Sequence, residues 1–161
     1  MQYDKDTDSS IMLKKANTLL KRGNVKDALS LYADMIAQEP DNPLVYYNMG
    51  VAFIEKEDYD LAKQVFSHCL NLGFKQNRVY IGLGICSLGL SSDDEAIEYF
   101  DRILPSQENY KEALIGKVYA YINKNDSKNA ICILKELKEI QVWSQELSLL
   151  EKKAKMIAVS T

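Results

Sequence analysis

Histidine is nearly missing from this 161-residue chain, with His68 the only one. A single imidazole cannot build a histidine metal cluster. Cysteine is scarce as well. Cys69, Cys86 and Cys132 are odd in number and show no Cys-x-x-Cys spacing. That excludes a disulfide framework and a zinc finger, and it predicts packed, reduced thiols on helical positions. No Gly-x-x-x-x-Gly-Lys-Ser/Thr phosphate loop is present. The glycine pair Gly82 and Gly84 falls mid-helix with no strand before it, so it makes no nucleotide loop. Long basic runs are absent and the net charge is −3, which argues against general affinity for nucleic acid. No apolar run approaches the ~20 residues of a membrane span. The segment Met1 to Ser10 carries Asp4, Asp6 and Asp8 and lacks the layout of a signal peptide. Together these absences predict a cytoplasmic protein without membrane insertion, metal, cofactor or catalytic set.

What is present is a period. Ala28, Ala62, Ala96 and Ala130 stand 34 residues apart. Aligning on them brings other columns into line. Tyr32, Phe66, Phe100 and Leu134 follow by four residues, and Met35, Cys69, Ile103 and Leu137 by seven. Ala16, Gly50, Gly84 and Val118 precede by twelve. Met12, Tyr46, Tyr80 and Leu114 precede by sixteen, and Leu19, Phe53, Ser87 and Tyr121 by nine. Apolar residues three or four apart on both sides of a turn predict two helices per unit. The small residue on the first helix is expected to face the alanine on the second. Asn24, Asp58, Ser92 and Asp126 share a column from which each can cap the second helix. Asn42-Pro43 reads as a cap followed by proline in the first turn. Asp93, Asp94 and Glu95 open a helix, where they suit the dipole rather than acid–base work.

A fixed 34-residue period with a constant small residue is the mark of stacked helix–turn–helix units. These columns resemble the tetratricopeptide repeat family. Repeat two carries the fullest set, Tyr46, Met49-Gly50, Phe53, Tyr59, Ala62 and Phe66. Repeat one adds the closing Pro40, which Phe74, Glu108 and Val142 replace in later repeats. Lys15 and Lys117 fill a column usually held by leucine. The resemblance implies an all-α, right-handed superhelical solenoid of four repeats, at 9–42, 43–76, 77–110 and 111–142. Residues 1–8 are expected as a flexible acidic tail. Residues 143–161 are expected as a capping helix and tail, with Trp143, Leu147, Leu150, Ala154 and Ile157 on its buried stripe.

The resemblance also places the first helix of each repeat on a concave inner face. A second stripe remains there: Leu13, Asn17, Leu20; Tyr47, Val51, Ile54; Ile81, Ile85, Leu88; Ile115, Tyr119, Ile122. Only Asn17 among them is polar. A helix apolar on two faces calls for cover on both. Gly82 and Gly116 are expected to give the stripe floor space. One subclass of the family grips the C-terminal carboxylate of chaperone tails. Asn17, Asn48 and Arg78 match three of its places, but Leu13 and Gly82 stand where its other charges belong. The groove predicted to bind a peptide is therefore Leu13, Asn17, Tyr47, Asn48, Val51, Arg78, Ile81, Ile85, Ile115 and Tyr119.

The resulting expectation is a non-enzymatic interaction module, a scaffold or adaptor. It would bind an apolar or amphipathic segment of another protein. The alternatives are a small chaperone similar to secretion chaperones, and a self-assembling protein that forms homo-oligomers through a neighbour's terminal segment.

Overall fold

The first and second helices of each repeat are joined by the same backbone turn. The computed structural model describes residues 3–160, with side chains from Asp8 onward. Among the described residues there are nine α-helices and no strand. The chain divides into two units, Met1–Lys75 and Gln76–Thr161. The first holds α1 (Tyr3–Lys21), α2 (Val25–Gln38), α3 (Pro43–Glu55) and α4 (Tyr59–Asn71). The second holds α5 (Asn77–Gly89), α6 (Asp93–Phe100), α7 (Tyr110–Asn123), α8 (Ser127–Glu139) and α9 (Gln145–Ser160). Within each unit, neighbouring helices pair in sequence and first helices also meet one another, α1 with α3 and α5 with α7. This is an all-α helical repeat.

Residues 3–8 fall within α1, while residues 1–2 lie outside the described part.

Gly23, Glu57, Ser91 and Asn125 follow the first helix of each pair, and all have positive φ, at 79°, 58°, 56° and 57°. The next residue's N–H then donates to the carbonyl five back. Asn24 bonds Leu19, Asp58 bonds Phe53, Ser92 bonds Ser87 and Asp126 bonds Tyr121, at 2.8–2.9 Å. This closure satisfies carbonyls that the helix end would otherwise leave open.

The caps differ from expectation. Asn42 accepts from Leu44 N–H at 3.2 Å with Pro43 in the first turn. Of the four candidates before the second helices, only Asp126 caps with its side chain, accepting from Asn129 N–H at 3.1 Å. Asn24, Asp58 and Ser92 accept only through their carbonyls, from Ala28, Ala62 and Ala96. The backbone and side-chain bonds from Asn129 hold the Asp126 carboxyl below its ordinary value. Asp126→Ala is expected to cost about 0.5–2 kcal/mol, while Asn24→Ala and Asp58→Ala change little. Urea unfolding checks this. Because the Asp126 pKa is depressed, its share is present above the usual carboxylate range and disappears as pH falls through the lowered value.

The four alanines of the period are fully buried, as are Tyr32, Phe66, Phe100 and Leu134. The small-residue column serves the ring rather than the alanine. A Cβ added at Gly50 would stand 2.8 Å from the Phe66 ring. At Gly84 it would run into Phe100, and so would one at Gly116. Phe100 therefore sits in a cradle of two glycines, one on α5 and one on α7. Gly116 is turned to the core by this contact and opens no floor for a ligand; Gly82 is buried too.

After Phe100 the chain leaves the helix until Tyr110. Leu104 precedes Pro105, which disfavours helical backbone there. Ile103 still reaches the core, and Asn77 Nδ2 donates to the Glu108 carbonyl at 2.8 Å, tying the loop to α5. Cys69 and Cys86 are buried, but Cys132 lies on the outer side of α8 and is exposed. On α9, Leu147, Leu150 and Ala154 are buried in one cluster with Leu134 and Leu137 of α8. Trp143 precedes the helix and is largely exposed, with Lys138 Nζ 4.3 Å above its ring. Lys138 also bonds Glu151 at 2.9 Å, and Glu151 pairs with Lys155.

Candidate functional site

In the first unit, the stripe expected to face a groove is supplied by α1 and α3. Asn17, Tyr47, Asn48 and Val51 come together with Leu20, Lys21 and Glu55 around a shallow cavity of about 400 Å³. Leu13 stays outside its lining and packs with Met12 and Leu20 against the Ala16–Tyr32 cluster. Tyr47 does two things at once. Its ring packs 5.8 Å from Phe66 and 6.4 Å from Phe74, so part of it belongs to the core.

The two asparagines are fixed by opposite ends. Asn17 Oδ1 accepts from the hydroxyl of buried Tyr32 at 2.6 Å. Its amide N–H groups remain for a ligand. Asn48 Nδ2 donates to the Leu44 carbonyl at 2.8 Å, leaving Oδ1 as an acceptor. Beside the charged Lys21 and Glu55, the cavity thus offers the Asn17 amide N–H groups as donors and Asn48 Oδ1 as an acceptor, next to Leu20, Tyr47 and Val51. Burial pushes the Tyr32 hydroxyl up to about 12, so it stays a neutral donor to Asn17.

In the second unit, α5 and α7 supply the stripe. Ile81 is half-buried and Ile85 is 37% exposed. Arg78, one turn before Ile81, is half-buried, with a buried Nε. Ile115 and Tyr119 lie against the cluster that α7, α8 and α9 share. The Tyr119 hydroxyl donates to Glu146 Oε1 on α9. That bond, then burial, raises Tyr119 to about 12. Ile122, the last member of the stripe, is buried outright. Most of the stripe is thus half-covered by its own unit, and Ile85 is its most open apolar member.

A second cavity, about 680 Å³, escaped the sequence reading. It lies between α1 and α2 and is lined by Asp8, Ile11, Met12, Lys15, Leu31 and Glu39, among others. Ile11 shares a column with Val45, Val79 and Ala113, all buried, yet is itself 57% exposed. That column, written out, would have pointed to it.

Among the described residues, no group of three or more His, Cys, Asp or Glu side chains converges to hold a metal. No described helix is long and apolar enough to cross a membrane. His68 sits on α4 with its ring 4.4 Å from Tyr46, edge to face.

Comparison with known proteins adds the following. Residues 19–83 match the family model described as tetratricopeptide repeat. The Protein CTR9 homolog of Arabidopsis thaliana is 29% identical over 125 residues, covering 73% of this chain. The chain spans only 11% of the length of that relative. A tetratricopeptide repeat protein from Parabacteroides merdae superposes with a TM-score of 0.76 at 19% identity, over 94% of this chain and 59% of that one. MamA from Desulfovibrio magneticus RS-1 gives 0.77 at 18% identity, over 94% and 92%. At these identities the likeness is one of fold.

Proposed function

This chain carries tetratricopeptide repeats, and from that premise we propose that it is a non-enzymatic module whose inner stripe binds an extended apolar segment of another protein. The observation that carries this reading is the pair Asn17 and Asn48. A peptide group has one donor and one acceptor, and the cavity between α1 and α3 presents their complements over Leu20, Tyr47 and Val51. Side-chain amides placed this way bind main chain whatever its sequence, and apolar neighbours select the side chains. The contact residues proposed are Leu13, Tyr47 and Val51 in the first unit and Ile81, Ile85, Ile115 and Tyr119 in the second. Asn17, Asn48 and Arg78 set orientation. In the same reading, α9 caps α8.

Selection of short peptides from a displayed library tests the proposal. Asn48→Ala is expected to weaken the selected peptides about tenfold, the effect of losing one buried hydrogen bond. Ile85→Glu should weaken them as well while leaving the helical circular dichroism unchanged, since Ile85 is exposed. Peptides indifferent to both substitutions would overturn the assignment of this face. Self-association is a second reading, favoured by the exposed ridge of Leu149, Met156 and Val159 on α9. Light scattering separates the two. A single-chain mass fits the peptide module, and an oligomer dispersed by Met156→Glu would favour self-association.

A further inference from the structure

The α7 end of the inner stripe is held by the chain itself. Tyr119 donates its hydroxyl to Glu146, and Ile115 and Tyr119 rest on the cluster that holds Leu147 and Leu150. Glu146 lies in the first turn of α9 and is exposed. There its charge is favourable next to the helix N-terminus whether or not it bonds Tyr119. The rest of α9 is fastened independently, by the burial of Leu147, Leu150 and Ala154 and by the Lys138–Glu151–Lys155 bonds. Glu146 can therefore leave Tyr119 by rotating its own side chain while the helix stays in place.

We propose that Glu146 is an intramolecular competitor. In the free protein it occupies the Tyr119 hydroxyl, and a partner segment takes that hydroxyl by presenting an aspartate or glutamate side chain in its stead. The proposal rests on the reading of the stripe as a peptide site and adds the chemistry of one ligand position. A hydroxyl already satisfied by a carboxylate is a donor placed for a carboxylate. Ile122 is buried and the half-buried Ile115 is apolar, so besides the Glu146 carboxylate the hydroxyl is the polar group a ligand would meet on this part of α7. A bound segment with an acidic residue exchanges like for like, whereas one without it leaves the Glu146 contact standing.

The test is a displayed library of short random peptides, selected separately against the wild-type protein and Glu146→Ala. The expected result is enrichment of Asp or Glu in the peptides won by Glu146→Ala. Those peptides should bind that variant about three- to tenfold more tightly than wild type, the range of one surface hydrogen bond. Tyr119→Phe should erase the difference. Glu146→Gln serves as the second variant, keeping side-chain length without the charge, and should fall between the two. Peptides that depend on Asn48 and Ile85 yet bind equally with and without Glu146 would overturn the competitor and leave the peptide site standing. If no peptide depends on Asn48 or Ile85, the peptide-site reading falls and the competitor falls with it.

Discussion

Phe100→Ala is expected to remove about 3–5 kcal/mol from the second unit. The ring is buried and fills the space between Gly84 on α5 and Gly116 on α7. Neither glycine has a side chain that could swing in to refill it, so the cavity would persist, and the persistent cavity is what enlarges such losses. The partner experiment works from the other side. Gly116→Ala in an ordinary helix interior should stabilise by roughly 0.5–1 kcal/mol. Here the new methyl would run into Phe100, and overpacking of this kind costs about 1–3 kcal/mol. A net loss is expected. Phe100→Leu should then make Gly116→Ala less harmful, since the smaller side chain gives way. Urea unfolding followed by the fluorescence of Trp143, the only tryptophan, reads all three. Additive losses in the double variant would mean that the methyl and the ring do not meet.

Leu147→Ala should cost about 2–5 kcal/mol, and the loss should be local. Leu147 is buried, and with Leu150 and Ala154 it supplies most of what attaches α9 to α8. The remaining ties are exposed. The Tyr119–Glu146 bond, the Lys138–Trp143 contact and the Lys138–Glu151 and Lys155–Glu151 pairs contribute on the order of 0.5–1 kcal/mol each at such sites. They cannot replace the lost burial. In a repeat array each element leans mainly on its neighbours, so an end element can open alone. Amide hydrogen exchange should show α9 losing protection while α5 and α6 keep theirs. A uniform loss across α5 to α9 would show that the unit opens as one body. The Tyr119 hydroxyl would be released with α9, so the same variant should mimic Glu146→Ala in peptide binding.

The parts of this protein legible in its sequence are those set by periodic burial. The alanine column and the ring column describe the core because a side chain repeated at constant phase in a helix must meet the same neighbour each time. Their arrangement was less legible. The column sets Gly50 and Gly84 opposite alanines, but each is left empty for a ring reaching over from the following helix. Phase fixes which side a residue is on; it says nothing about which of two residues on the opposing helix extends far enough to fill the gap. Caps were legible only by type. Asn24, Asp58, Ser92 and Asp126 are all competent acceptors, and only Asp126 uses its side chain. For the candidate site, helical spacing proposes the stripe, but it gives no sign of the contact that α9 makes with it. Glu146 bonds Tyr119 from 27 residues away, across a helix that lacks the repeat columns.

The residues that reverse the chain after each first helix have a longer reach. Glycine, glutamate, serine and asparagine have no side-chain chemistry in common, yet they occupy the same left-handed torsion at the same interval. Glycine is at ease there and asparagine is tolerated; glutamate and serine carry a steric burden of about 1 kcal/mol or more that their surroundings must absorb. A chain that copied one ancestral unit and let the copies drift would leave such a trace. Side chains are free to diverge once the backbone has to keep turning. Kinship among the four units is then written twice, in the letters of the alanine and ring columns and in the angles of a turn whose letters differ.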